Sequence, residues 1–179
     1  VLLAGIATPL AAAEEAPPGA LPAAVVDARP VAPSQYVEAS SPAQADAILS
    51  ALEAKPSSDA LAAAAAGVTY GPCVLYPSTV YLRASSNYGA VGSKPYTQCS
   101  VPVSSIRHST DLRYKSFIWW RLATTKTGGN SGVASYTQKN VEYYCVSKES
   151  TGWSGTTLGT MVYLGRTYYA RVYQPVKTL

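Results

Sequence analysis

In the stretch "TYYARVY", residues 167–173, Tyr168, Ala170 and Val172 alternate with Thr167, Tyr169, Arg171 and Tyr173. Successive side chains of a β-strand point to opposite faces, so the two sets separate across a sheet. An arginine does not enter an apolar core without a partner. Arg171 therefore faces outward and takes Tyr169 and Tyr173 with it. The same alternation puts Val80 and Leu82 inside and Tyr81 and Arg83 outside in "STVYLR". In "FIWWRL" it puts Ile118, Trp120 and Leu122 inside, and Phe117, Trp119 and Arg121 outside.

This grammar of Tyr, Thr, Val and Ser, punctuated by Gly or Pro, runs from Val68 to the end of the chain. It predicts strands near 73–83, 98–106, 113–123, 134–146, 157–163 and 167–173. Pro77 and Pro102 imply that the first two are broken or lie at an edge. "TGGNSG" at 127–132 reads as a hairpin loop and "LGR" at 164–166 as a tight turn. Antiparallel hairpins in series give a mostly β fold, a small antiparallel sandwich or open barrel over residues 68–179.

The period changes before Val68. "SSPAQADAILSALEAKP" opens with Ser41 as a helix cap and Pro42 at the first helical position, and Pro56 stops it. "SSDALAAAAAG" repeats that pattern up to Gly67. Residues 14–40 are Pro/Ala-rich without periodicity, which predicts an extended, disordered stretch. Residues 14–67 together read as an acidic spacer or pro-segment with short helices; a helical hairpin docked on the basic domain is the alternative. Their few apolar side chains suggest that the core of the β domain does not depend on them. "VLLAGIATPLAAA", residues 1–13, reads as the remnant of a secretory signal peptide, with Ala11-Ala12-Ala13 as its cleavage site and the basic segment expected upstream. The expected location is outside the cell or in the cell wall.

Charge sharpens this boundary. Residues 1–67 hold two basic and seven acidic side chains, a net of −5, whereas residues 68–179 hold twelve and three, a net of +9. A basic domain after an acidic leader points to an anionic partner. The chain has fourteen Tyr and one Phe, and a Tyr ring can cover a sheet face while its hydroxyl stays wet. Tyr81, Arg83, Trp119, Arg121, Tyr169, Arg171 and Tyr173 are thus the candidate binding residues, an aromatic face carrying guanidinium groups. An anionic cell-wall glycopolymer or an anionic membrane surface would suit it. Cross-strand packing that merely shields the sheet is the simpler account of the same residues.

Catalytic chemistry has thinner support. His108 is the only histidine, and with Glu142 and any of Arg107, Arg113, Arg121 or Arg171 it supplies the residue types of a small secreted ribonuclease. Nucleic acid is a partner only in that alternative. A secreted antibacterial or toxin-like protein, held inactive by its acidic leader, is a further alternative. His108 and Asp111 in "RHSTD" make a poor hydrolase triad, because no G-x-S-x-G elbow accompanies them. "GAVG" at 89–92 lacks the companions of a nucleotide loop. The pattern favours binding over catalysis, with no cofactor and no metal. Of three cysteines, Cys73, Cys99 and Cys145, two should pair in an oxidising compartment. Cys99–Cys145 is the chosen bridge, since both fall in predicted strands.

"NYGAVGSKPYTQC", "STDLRYKSFIWW" and "GTTLGT" together resemble uncharacterised small exported proteins of actinobacteria, over roughly residues 68–179. The resemblance implies export and assigns no catalytic residue.

Overall fold

A computed structural model describes residues 16–54, 67–147 and 149–179. The signal remnant at 1–13 and most of the second short helix, with Pro56, lie outside these. The protein is mostly β, as the alternation predicts. Its strands are β1 (Leu21–Pro22), β2 (Ser34–Glu38), β3 (Tyr70–Tyr76), β4 (Tyr81–Leu82), β5 (Ala90–Ser93), β6 (Tyr96–Ser116), β7 (Trp119–Thr137), β8 (Val141–Tyr144), β9 (Gly152–Tyr163) and β10 (Arg166–Thr178). Two helices, α1 (Ala23–Asp27) and α2 (Pro42–Glu53), come from the acidic segment.

The large sheet runs β1-β7-β6-β3-β2-β10-β9 and closes because β6 also pairs with β9. One edge of β6 serves two partners in turn. Tyr96–Cys99 pair with β3 and Ser105–Tyr114 pair with β9, while on the opposite edge the pairing with β7 shifts register between Gln98 and Val103, a stretch that includes Pro102. The result is a five-stranded antiparallel barrel of β6, β3, β2, β10 and β9, with β7 along the free edge of β6. Closure removes the exposed strand edges that an open sheet would leave. A three-stranded sheet, β4-β5-β8, packs a second apolar cluster of Val80, Val91, Leu112, Val141 and Trp153.

The barrel interior follows the period of two. Ile106, His108, Thr110 and Leu112 of β6 are buried, as are Tyr168, Ala170 and Val172 of β10. Tyr36 of β2 reaches across the barrel toward the backbone of Gly159, where a Cβ would overlap its hydroxyl. Glycine in this strand marks that close approach.

Several sequence expectations change here. Residues 34–38, expected to be disordered, form β2 in the middle of the barrel, between β3 and β10, with Tyr36 and Val37 fully buried. The core therefore does include side chains of the acidic segment. The helix predicted from Ser41 is present: Ser41 Oγ accepts the Gln44 N–H at 3.2 Å, with Pro42 in the first turn. The glycines of "TGGNSG" lie inside β7, not in a loop. The hairpin turn falls instead at Phe117–Ile118, where Ser116 pairs with Trp119. The tight turn at Leu164–Gly165 forms as expected, both residues having positive φ. Leu82, Ile118 and Leu122, expected inside, are exposed.

The disulfide also differs from the expected pair. Cys73 and Cys99 face each other directly across β3 and β6, with Cα atoms 4.0 Å apart, and are bonded. Cys145, just after β8, is a free thiol. The barrel register brings Cys99 to Cys73, whereas Cys145 follows a strand of the other sheet.

Candidate functional site

Strand register fixes which side chains share the outer face of β7-β6-β9-β10. One row across it is Gly129–Arg107–Thr160–Tyr169, and the next is Thr127–Ser109–Leu158–Arg171. A third is Thr125–Asp111–Thr156–Tyr173. Helix α2 lies beside these rows, over β10, and leaves a groove of about 770 Å³ between itself and the hairpin of β6 and β7. Pro42, Ala45 and Leu49 of α2 make an apolar wall, and Leu158 stands exposed on the floor.

Polar groups converge on the same floor. Among the described residues, the hydroxyls of Ser109, Thr127 and Thr160 have no hydrogen-bond partner, and Arg107 has no ion pair. Arg107 lies close along Gly129, whose missing Cβ would come within 2.9 Å of its Cγ. A larger residue at 129 would push the guanidinium away from the sheet. The half-buried Tyr169 ring borders the groove on the α2 side.

The wall is held by ions. Arg171 Nε donates to Glu53 Oε1 at 2.8 Å, and its Nη2 donates to Glu53 Oε2 at 2.9 Å and to Ser50 Oγ at 3.0 Å. Its Nη1 meets Asp46. Tyr173 donates its hydroxyl to Glu53 Oε2 at 2.9 Å. The Arg29 guanidinium sits 4.8 Å from the centre of the Tyr173 ring and donates to Thr156 Oγ1 at 3.1 Å. Burial works against the charge on Arg171, but its bonds to Glu53 and Asp46 outweigh burial and raise its pKa. Burial, with the Glu53 bond second, pushes Tyr173 up to about 12. This bidentate, charge-assisted clamp joins the acidic helix to the basic barrel.

The candidate binding residues therefore fall in three places. Tyr169, Arg171 and Tyr173 lie under α2, and Arg171 is committed to carboxylates. Tyr81 and Arg83 belong to the small sheet. Arg83 donates to the carbonyls of Lys139 at 3.2 Å and Val141 at 3.3 Å, and its Nε is 3.3 Å from Glu142. Trp119 and Arg121 open β7 beyond the groove; of the three arginines, Arg121 is exposed and the other two are half-buried.

His108 and Glu142 are not brought together. His108 points into the barrel, only 2% exposed, with Nε2 2.7 Å from Thr97 Oγ1, which is itself 2.7 Å from the Tyr36 hydroxyl. Burial lowers its pKa from 6.5 to about 4, so it is neutral near pH 7. Its Nδ1 has no hydrogen-bond partner among the described residues. Glu142 belongs to the small sheet, where it bonds Ser86 and faces Arg83. No cluster of His, Cys, Asp or Glu suited to a metal occurs among the described residues.

Of the groove residues, Arg107 entered the sequence reading only as one of four candidate cations of the ribonuclease alternative, and Ser109, Leu158 and Thr160 were not selected. Their signal was present in "SIRHSTDL", where Ile106, His108, Thr110 and Leu112 read as one face and Arg107 and Ser109 as the other. No family model, curated protein or solved structure matches this chain.

Proposed function

We propose that this chain is an exported binding domain that holds a segment of an anionic glycopolymer, such as a cell-wall polymer, in the groove between α2 and the β6–β7 hairpin. The observation that carries this reading is the groove floor, where the unpaired Arg107 stands beside three unengaged hydroxyls and the Tyr169 ring. Hydroxyls of Ser109, Thr127 and Thr160 match the hydroxyls of a sugar. An aromatic ring covers its apolar C–H face, and a guanidinium meets carboxylate or phosphate in bidentate fashion. Leu158, Leu49 and Ala45 supply the apolar contact a flat charged patch would lack. The net +9 of the basic half favours an anionic partner. The Cys73–Cys99 bridge suits an oxidising compartment.

The test is calorimetric titration with purified anionic wall glycopolymer. Hydrogen bonds to a charged group contribute about 1.5–3 kcal/mol, so Arg107→Gln should weaken binding about tenfold or more. Leu158→Trp, which fills the floor, should abolish it, while Arg83→Gln leaves affinity unchanged. Equal affinity of the wild type, Arg107→Gln and Leu158→Trp would refute the groove as the binding site.

A further inference from the structure

The turn joining β6 to β7 is built unlike the other tight turn of the barrel. Ser116 pairs with Trp119, so Phe117 and Ile118 form a two-residue loop, and Phe117 has φ +56°. With Ile118 outside that region, only the first loop position is left-handed, a place that favours glycine. A bulky residue there is strained. No internal packing compensates for the strain: Phe117 is 91% exposed and Ile118 57%. The sole phenylalanine of a chain with fourteen tyrosines thus occupies a position poor for its backbone and for its ring in water.

The surroundings of this tip are both apolar and basic. The Ala23 N–H of α1 donates to the Ile118 carbonyl at 3.0 Å, which brings up α1 and its exposed Val25. Lys115 pairs with Trp120, and the next row runs Arg121–Tyr114–Trp153–Lys177. These three cations lie within about 10 Å of the turn along the strands, and none has an ion pair among the described residues. Asp27, which ends α1, and Glu149, in the segment leading to Thr151, are the flanking carboxylates. Thr151 Oγ1 holds the Lys115 carbonyl at 2.7 Å. The rim stays net positive.

We infer that the Phe117–Ile118 tip is a membrane-docking element that inserts into the interface of an anionic lipid bilayer, with Lys115, Arg121 and Lys177 meeting the headgroups. An apolar point ringed by cations matches the depth profile of such an interface, and apolar burial and lipid charge add together. Among the described residues no helix is long and apolar enough to cross a membrane. Ser109 of the groove lies seven residues back along β6, about 24 Å. The groove thus stays clear of the bilayer, and this inference stands apart from its ligand.

The test is co-sedimentation of the full chain with phosphatidylglycerol–phosphatidylcholine vesicles and with pure phosphatidylcholine vesicles, together with tryptophan emission. The wild type should bind the anionic vesicles preferentially, more weakly as salt rises, with a blue shift from Trp119. Phe117→Gly suits the backbone, so it should stay folded while losing about tenfold or more in vesicle affinity. Lys115→Gln/Arg121→Gln should lose a similar factor and flatten the salt dependence. Arg107→Gln should bind vesicles like the wild type. Equal sedimentation of the wild type and Phe117→Gly would overturn the inference. So would a wild-type dimer that Phe117→Gly converts to a monomer, since the tip would then pack against a second copy.

Discussion

His108 is the only histidine of the chain, which makes the effect of acid on its stability unusually clean. In the folded barrel its ring is desolvated beside Tyr136 and Thr97, and its pKa falls to about 4. In the unfolded chain it returns to about 6.5. Between these values the unfolded state takes up a proton that the folded state refuses. Stability is therefore intact above pH 6.5 and falls as pH drops toward 4. Between about 6.5 and about 4 this linkage amounts to about 3 kcal/mol in full, of which about 2 kcal/mol is lost by pH 5. Urea unfolding at a series of pH values from 7.5 to 5, comparing the wild type with His108→Gln, measures the effect directly. Gln keeps a polar contact to Thr97 and has no proton to gain, so its stability should stay nearly flat. A wild type that loses less than 0.5 kcal/mol by pH 5, or a variant with the same slope, would refute the account of a neutral histidine sealed in the barrel.

The ionic clamp on α2 gives a second expectation. Glu53→Ala leaves the Arg171 fork and the Tyr173 hydroxyl without their main acceptor, which should cost about 2–4 kcal/mol in urea unfolding, with Glu53→Gln intermediate. The disulfide closes a sequence separation of 26 residues. Cys73→Ser/Cys99→Ser should therefore cost about 3–4 kcal/mol, and alkylation of the native protein, read by mass spectrometry, should label Cys145 alone.

Strand grammar made the β class legible, because alternation depends only on local chemistry. "TYYARVY" put Tyr168, Ala170 and Val172 inside, and they are inside. The outer face was not legible in the same way. Alternation gives the side on which Arg171 and Tyr173 lie, but not that α2 covers them and supplies their carboxylates. β2 was missed because "SQYVE" is short and sits among Pro and Ala, so its strand character comes from partners on both sides. The turn at Phe117–Ile118 was invisible for the opposite reason: both residues are strong strand formers, and the chain bends there against their preference. The glycines at 128–129 misled as a loop signal, since in β7 they permit close approach, not reversal. The cysteine pairing required the register of β3 on β6, which sets Cys73 opposite Cys99 and which no spacing rule shows.

The place of β2 in the barrel also orders events in time. It lies near the front of the chain, yet one of its two neighbours, β10, lies near the end, with Glu38 opposite Tyr168. A chain emerging N-terminus first, from a ribosome or a translocation pore, presents β2 long before β10 exists. Until then the edge of β2 that β10 will cover stays open, and Tyr36 has no Gly159 to rest against. Barrel closure must wait for β10, and contacts so distant in sequence close slowly. The arrival of β10 is thus the step that seals the barrel and gives β2 its second neighbour.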